Sequence, residues 1–364
     1  MNIPPHVLAE LERAAQGGDS QAQYVLFALL GRAGRKAEAR AWLAKSAAAG
    51  NPDALYSKAC LLLDGIDGPR DVRQAFEMLR DTADTGGTAA MRTLAVLVAL
   101  GVEGEADRAR AVALVNRAAE LGDTGAAQQA ALIASGVFEV PLPSREVLSR
   151  SPDAWRLPGL FAPEVCRYLI EAAEGFLHPS FVIDPRTGQT LRSDVRTSST
   201  ATIHPFQQDL VMHFINERLC AAAGLKLSQG EMLGVLKYEI GQQYRPHFDF
   251  LDPSAGATSQ FATAGQRIAT LLVALNDDYT GGETTFLSNG LSWRGRVGEG
   301  LLFWNVDASG RPDMSTKHAG NPVTRGQKFI ISKWFREKPV ASEAADRSGC
   351  QQQRRQCGSD RNRA

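Results

Sequence analysis

Across residues 5–137 the apolar positions recur with a helical spacing, never alternating for long, and the pattern copies itself. Gly50, Gly86 and Gly122 stand 36 residues apart, and so do Ala54, Ala90 and Ala126, and Ala39, Ala75 and Ala111. A period of that length, with glycine punctuating the helices, predicts stacked helical hairpins in which each unit buries its apolar face against its neighbours. Local chemistry agrees: Asn51 followed by Pro52 reads as an N-cap with proline at the first helical position, and Gly50 suits the left-handed turn closing the helix before it. The segment beginning at Gly18 and Asp19 looks like an earlier copy, 32 residues ahead of Gly50, with a shorter loop and the position of a capping repeat. An ordinary alanine-rich bundle is the competing reading, and both readings give a non-catalytic helical domain.

The pattern changes after Val140-Pro141-Leu142-Pro143-Ser144, and residues 138–156 read as a linker. From 157 to 338, runs rich in β-branched and aromatic residues predict strands at 195–203, 233–240, 268–275, 301–304 and 329–334, bounded by Gly, Pro, Asn and Asp. Two helices are interposed, at 163–173 and 206–223, the second with apolar Leu210, Val211, Phe214, Ile215 and Leu219. Many short strands after a few helices predict a jelly-roll, that is a double-stranded β-helix with flanking helices. The expected architecture is thus two-domain α plus β, an N-terminal α-helical repeat solenoid and a C-terminal barrel. The polar tail, 339–364, reads as disordered.

Composition narrows the partners. Lys plus Arg equals Asp plus Glu at 40 each, which removes any general electrostatic case for nucleic acid or an anionic membrane. The longest apolar run, 94–102, is too short to span a bilayer. No basic start followed by an apolar stretch is visible, so no secretory signal is expected. Five cysteines, Cys60, Cys166, Cys220, Cys350 and Cys357, sit at irregular spacings unlike a disulfide framework or zinc site, which fits a reducing cytoplasm.

Candidate chemistry centres on Tyr244-Arg245-Pro246-His247-Phe248-Asp249-Phe250. His247 and Asp249 are two apart, so in extended chain both point to one face and can grip one ion. A third ligand completes a two-histidine, one-carboxylate facial triad that leaves metal positions open. Histidine followed by an acid at that spacing is a common coincidence, and the pair alone does not carry the reading. Added weight comes from His318 and Lys328, ten residues apart across an Asn-Pro-Val turn and expected on adjacent strands. A cationic side chain there can pair with the far carboxylate of a dicarboxylate cosubstrate whose other end chelates the metal beside His318. His6, His178, His204 and His213 fall in no matching motif and read as structural.

With these residues in view, the order Tyr238-Glu239-Ile240-Gly241-Gln242-Gln243-Tyr244, His247-Phe248-Asp249, Arg267-Ile268-Ala269-Thr270, Gly281-Gly282-Glu283-Thr284, Phe303-Trp304-Asn305, His318-Ala319-Gly320-Asn321-Pro322-Val323 and Lys328 to Trp334 resembles the prolyl 4-hydroxylases, iron(II)- and 2-oxoglutarate-dependent dioxygenases. The resemblance spans 157–338 and is strongest over 231–336, while 5–137 resembles Sel-one-like repeats, relatives of the tetratricopeptide repeats. It implies Fe(II) on His247, Asp249 and His318, with 2-oxoglutarate and O2 as cosubstrates and L-ascorbate as reductant. Lys328, Tyr238 and Thr284 match positions that hold 2-oxoglutarate, although a tyrosine also fits a strand and Gly-Gly-Glu-Thr a turn. Tyr244, Arg267 and Trp334 match substrate-groove positions, although Trp334 equally suits the core and Arg267 an acidic neighbour. Asn305 could hydrogen-bond near the metal, although an ordinary turn role is the one expected of it. The activity implied is hydroxylation of a prolyl residue in a protein or peptide, with release of succinate and CO2 and with the repeats recruiting the partner. The same chemistry on another side chain or small molecule, and a scaffold with a sensing or inactive barrel, stay open at this point.

Overall fold

The structure is a computed structural model, and it describes residues 5–66, 68–180, 182–183, 190–191, 195–251 and 264–340. The tail expected to be disordered lies, from 341 onward, outside the described residues. The chain divides into two compact units, Met1–Ala134 with Phe206–His213, and Ser135–Pro205 with Phe214–Ala364.

The first unit is built of helices α1 (Pro5–Gln16), α2 (Ser20–Arg32), α3 (Lys36–Ala48), α4 (Pro52–Asp64), α5 (Val72–Asp84), α6 (Thr88–Ala99), α7 (Arg108–Glu120) and α8 (Thr124–Ala134). The 36-residue period has a direct cause. Ala54, Ala90 and Ala126 are completely buried, as are Ala75 and Ala111, so the repeated alanines are points where helices approach too closely for a larger side chain. Gly50, Gly86 and Gly122 take φ of +80°, +97° and +92°, a backbone that costs any residue with a Cβ about 1–2 kcal/mol. Asn51 accepts from the Ala54 amide at 3.0 Å, and Asp123, 72 residues on, accepts from Ala126 at 2.8 Å. Asp71 and Asp107 cap α5 and α7 in the same way, a second pair at the period. No described helix is long and apolar enough to cross a membrane.

The second unit holds β1 (Glu146–Arg150), β2 (Asp153–Leu157), α9 (Pro163–Glu174), β3 (His178–Pro179), β4 (Val182–Ile183), β5 (Thr190–Leu191), β6 (Ser199–Ile203) and most of α10 (Leu210–Ala223). Then follow β7 (Leu233–Tyr238), β8 (Tyr244–His247), β9 (Arg267–Ala274), β10 (Thr280–Gly281), β11 (Thr284–Phe286), β12 (Ser292–Trp293), β13 (Gly300–Trp304), β14 (His318–Gly320), β15 (Val323–Arg325) and β16 (Lys328–Arg336). The major sheet runs β1-β2-β13-β9-β16-β7-β6-β3, and a smaller one runs β12-β11-β14-β8. Every pairing in both is antiparallel. The apolar core takes Leu236, Leu272, Leu301, Phe303 and Ile330 from the major sheet and Phe286 and Trp293 from the minor one, which is the packing of a jelly-roll.

Three expectations need correction. Residues 138–156 are not a linker throughout: β1 and β2 form there, and β2 pairs with β13, extending the major sheet. The proline-rich stretch before them is stapled to its own unit, because Arg218 donates to the Val140, Pro141 and Leu160 carbonyls and Arg145 to that of Ala222. The strand expected from 195 begins at Ser199, and the helix expected from 206 is a short 3-10 turn, Pro205–Gln207, before α10. Finally, His318 and Lys328 are not on adjacent strands. The first lies in the minor sheet between β11 and β8, the second in the major sheet beside β7.

Candidate active site

The minor sheet places the first two metal-ligand candidates by register alone. His318 on β14 stands directly opposite His247 on β8, and Asp249 follows His247 by two positions. The His247 Nε2 lies 3.6 Å from Asp249 Oδ1, the His318 Nε2 lies 3.8 Å from Oδ2, and donor atoms of all three fall within 4.8 Å of one another. The Nδ1–H of each imidazole donates to a backbone carbonyl, His247 to Arg245 at 2.8 Å and His318 to Thr316 at 2.9 Å. A carbonyl can only accept, so Nδ1 carries a proton, and in the neutral imidazole the lone pair is the one on Nε2. Tyr244 stacks on His247 with ring centroids 3.4 Å apart and fixes its plane.

Protonation suits the same task. Burial opposes a charge on Asp249, yet the two imidazoles and the Thr270 hydroxyl hold its carboxyl well below the usual range. Burial pushes the His318 imidazole down to about 4, against the pull of Asp249, so it is neutral near pH 7. The donor set therefore fits a divalent metal. One donor atom from each of the three side chains lies within 4.8 Å of the other two, close to the span of about 4.2 Å that two metal–ligand bonds of about 2.1 Å bridge. Two nitrogens and one carboxylate on a single face match the facial triad of non-haem iron.

Lys328 opens β16 opposite Tyr238 of β7, so it reaches the same cavity from the facing sheet. Its ammonium is only 4% exposed, donates to the Gly282 carbonyl at 2.6 Å and lies 5.3 Å from the centre of the Tyr238 ring. Burial lowers it to about 8, with Glu283 opposing. Tyr238, Thr284, Tyr244 and Trp334 line this cavity as well. Arg267 does not: it forks onto Glu231 at 2.7 and 2.9 Å and lays its guanidinium 3.8 Å from the Trp334 ring, bracing that wall from behind.

Three residues enter the site that sequence reasoning left out or misjudged. Arg196 lines the cavity with its guanidinium 5.1 Å from the Tyr244 ring, and a lone arginine beside serines and threonines gave no signal of it. Thr270 donates to Asp249 Oδ2 at 2.8 Å. Asn305 is not an ordinary turn residue, since it is completely buried and donates to Thr270 at 2.9 Å.

An open-faced triad in the small sheet of a jelly-roll, with a buried cation rooted in the facing sheet, defines the class of 2-oxoglutarate–iron(II) oxygenases. Residues 233–336 match the model of the 2OG-Fe(II) oxygenase superfamily. The chain belongs to the prolyl 4-hydroxylase family: it is 34% identical over 210 residues to prolyl 4-hydroxylase 1 of Arabidopsis thaliana, covering 54% of this chain and 73% of that relative. Among solved structures it is similar to the viral collagen prolyl hydroxylase of Paramecium Bursaria Chlorella virus-1, with 26% identity, a TM-score of 0.39, and coverage of 50% of this chain and 95% of that one. It is also similar to a Sel1 repeat protein from Oxalobacter formigenes, with 24% identity, a TM-score of 0.31, and coverage of 34% and 96%.

Proposed function

We propose that the chain hydroxylates prolyl residues of a protein or peptide, holding iron(II) on His247, Asp249 and His318 and 2-oxoglutarate on Lys328, Tyr238 and Thr284. The observation that carries this reading is the convergence of the Nε2 atoms of His247 and His318 and the Asp249 carboxylate in one cavity with the Lys328 side chain. When bound, iron(II) and 2-oxoglutarate supply with O2 the oxidising power for C–H hydroxylation and release succinate and CO2. The protein's own part is positioning. His318 and Asp249 are in their metal-binding protonation states near pH 7, so no proton need leave first. Lys328 exchanges the neutral Gly282 carbonyl for the far carboxylate of 2-oxoglutarate, with the hydroxyls of Thr284 and Tyr238 beside it. Tyr244 and Trp334 offer flat aromatic walls for a pyrrolidine ring, and Arg267 holds Trp334 in place from behind. L-Ascorbate serves as the reductant, and the helical repeats recruit the protein that carries the proline.

Succinate release in the presence of a proline-rich peptide tests the reading. Turnover that requires added iron(II), disappears in His318→Ala and needs the peptide's prolines supports it. Equal turnover in His318→Ala would remove the ligand assignment, and equal turnover on a proline-free peptide would remove the substrate.

A further inference from the structure

Asp249 as a metal ligand is a carboxylate, and a carboxylate has only acceptors to offer. The 2.8 Å contact between its Oδ2 and Thr270 Oγ1 therefore fixes the hydroxyl hydrogen on the Asp249 side. Thr270 then presents only lone pairs to its other neighbour, and Asn305 must answer with its amide Nδ2–H at 2.9 Å. The three groups form a one-way relay, Asn305 to Thr270 to Asp249, whose direction is forced at each step. Thr270 and Asn305 are both 0% exposed. Thr270 sits in β9 between β13 and β16, opposite Phe303 and Trp334, and cannot turn away. Asn305 is pinned through its backbone, its amide donating to Ile268 at 2.8 Å and its carbonyl accepting from Asp313 at 3.0 Å.

The relay is also costly. Turning Nδ2 toward Thr270 leaves the Asn305 Oδ1 buried with no hydrogen-bond partner among the described residues. A buried orphan acceptor is a penalty that a leucine of similar size would avoid, so stability alone does not account for an asparagine here.

We infer that Thr270 and Asn305 are positioning residues that occupy one oxygen of Asp249, so that the carboxylate grips the metal through the other oxygen alone and the remaining metal positions stay open for cosubstrate. The inference rests on the proposed metal site. Neither residue touches the metal or the reacting atoms. Both act through Asp249, as hydrogen-bond partners of metal ligands do elsewhere.

Cobalt(II) titration of the whole chain, followed by its visible ligand-field absorption, reads this arrangement without turnover. Thr270→Val keeps the shape and strand preference of the residue but removes the hydroxyl. Cobalt(II) affinity is expected to fall about tenfold to a hundredfold and the absorption band to shift, as Asp249 swings to two-oxygen ligation. Asn305→Leu is expected to give the same shift, smaller, and Thr270→Ser to restore the parent affinity and spectrum. Parent affinity and spectrum in both Thr270→Val and Asn305→Leu overturn the relay, and so does a serine variant that behaves like the valine one. Asp249→Ala separates the two ideas. If it keeps the parent's affinity and spectrum, the metal-site reading itself is wrong; if it loses them while Thr270→Val does not, only the relay is.

Discussion

Lys328 is charged where burial works against charge, and the cost is visible in an ammonium lowered to about 8. The protonated form is the one that pairs with a carboxylate, and its fraction falls as pH rises through about 8 in the free protein. The kcat/KM for 2-oxoglutarate is therefore expected to decline above that pH, with kcat at saturating cosubstrate less affected, and a pH profile checks it. Lys328→Met removes a charge-assisted contact worth about 1.5–3 kcal/mol, so the KM for 2-oxoglutarate should rise about tenfold to a hundredfold while the fold persists. Glu231 is the second residue whose charge matters. Burial raises its carboxyl, but Arg267 and Arg336 hold it below 4.5 in the folded chain. A depressed carboxyl contributes stability in full above its unfolded value and loses it as pH falls through the lower folded one, so this contribution fades only in acid. Glu231→Ala removes the carboxylate that Arg267 and Arg336 share and is expected to destabilise the chain by about 3 kcal/mol, read as a shift in the urea midpoint.

Elements were legible in proportion to their length and regularity. The repeat helices announced themselves because Ala54, Ala90 and Ala126 mark helix contacts that admit nothing larger. Ala90→Leu should overpack such a contact and cost about 1–3 kcal/mol, measurable by thermal unfolding of the parent and variant. The long strands β9 and β16 were visible as apolar runs because both faces are buried. The minor-sheet strands β8, β11, β12 and β14 gave no hydrophobic alternation, since two to four residues are too few to show it, and only the His247 and His318 motifs pointed to extended chain at β8 and β14. β1 and β2 were hidden behind a proline-rich segment that reads as a linker, and the bonds from Arg218 of α10 to the segment and from Arg145 back to α10 reveal that it is held.

At the scale of the whole molecule, the site was more legible than the fold that carries it. His247 and Asp249 are neighbours in sequence, and His318 and Lys328 are tied by their spacing, so their meeting in one cavity was readable even though their strands were misassigned. Thr270 and Asn305 were not readable in the same way. Each is a single polar residue beside an apolar run, and its partner is 21 or 35 residues away in the chain. The proposed substrate wall divides likewise: Trp334 lines the cavity, while Arg267 stacks on it without lining the cavity, a distinction only coordinates supply. The central claim concerns the barrel alone, and product mapping addresses it most directly. The chain, supplied with iron(II), 2-oxoglutarate and a proline-rich peptide, is expected to add one oxygen atom to proline side chains, one for each succinate released, and none in Asp249→Ala. Oxygen appearing on proline equally in Asp249→Ala, or succinate released with no oxygen on any proline, would contradict the account.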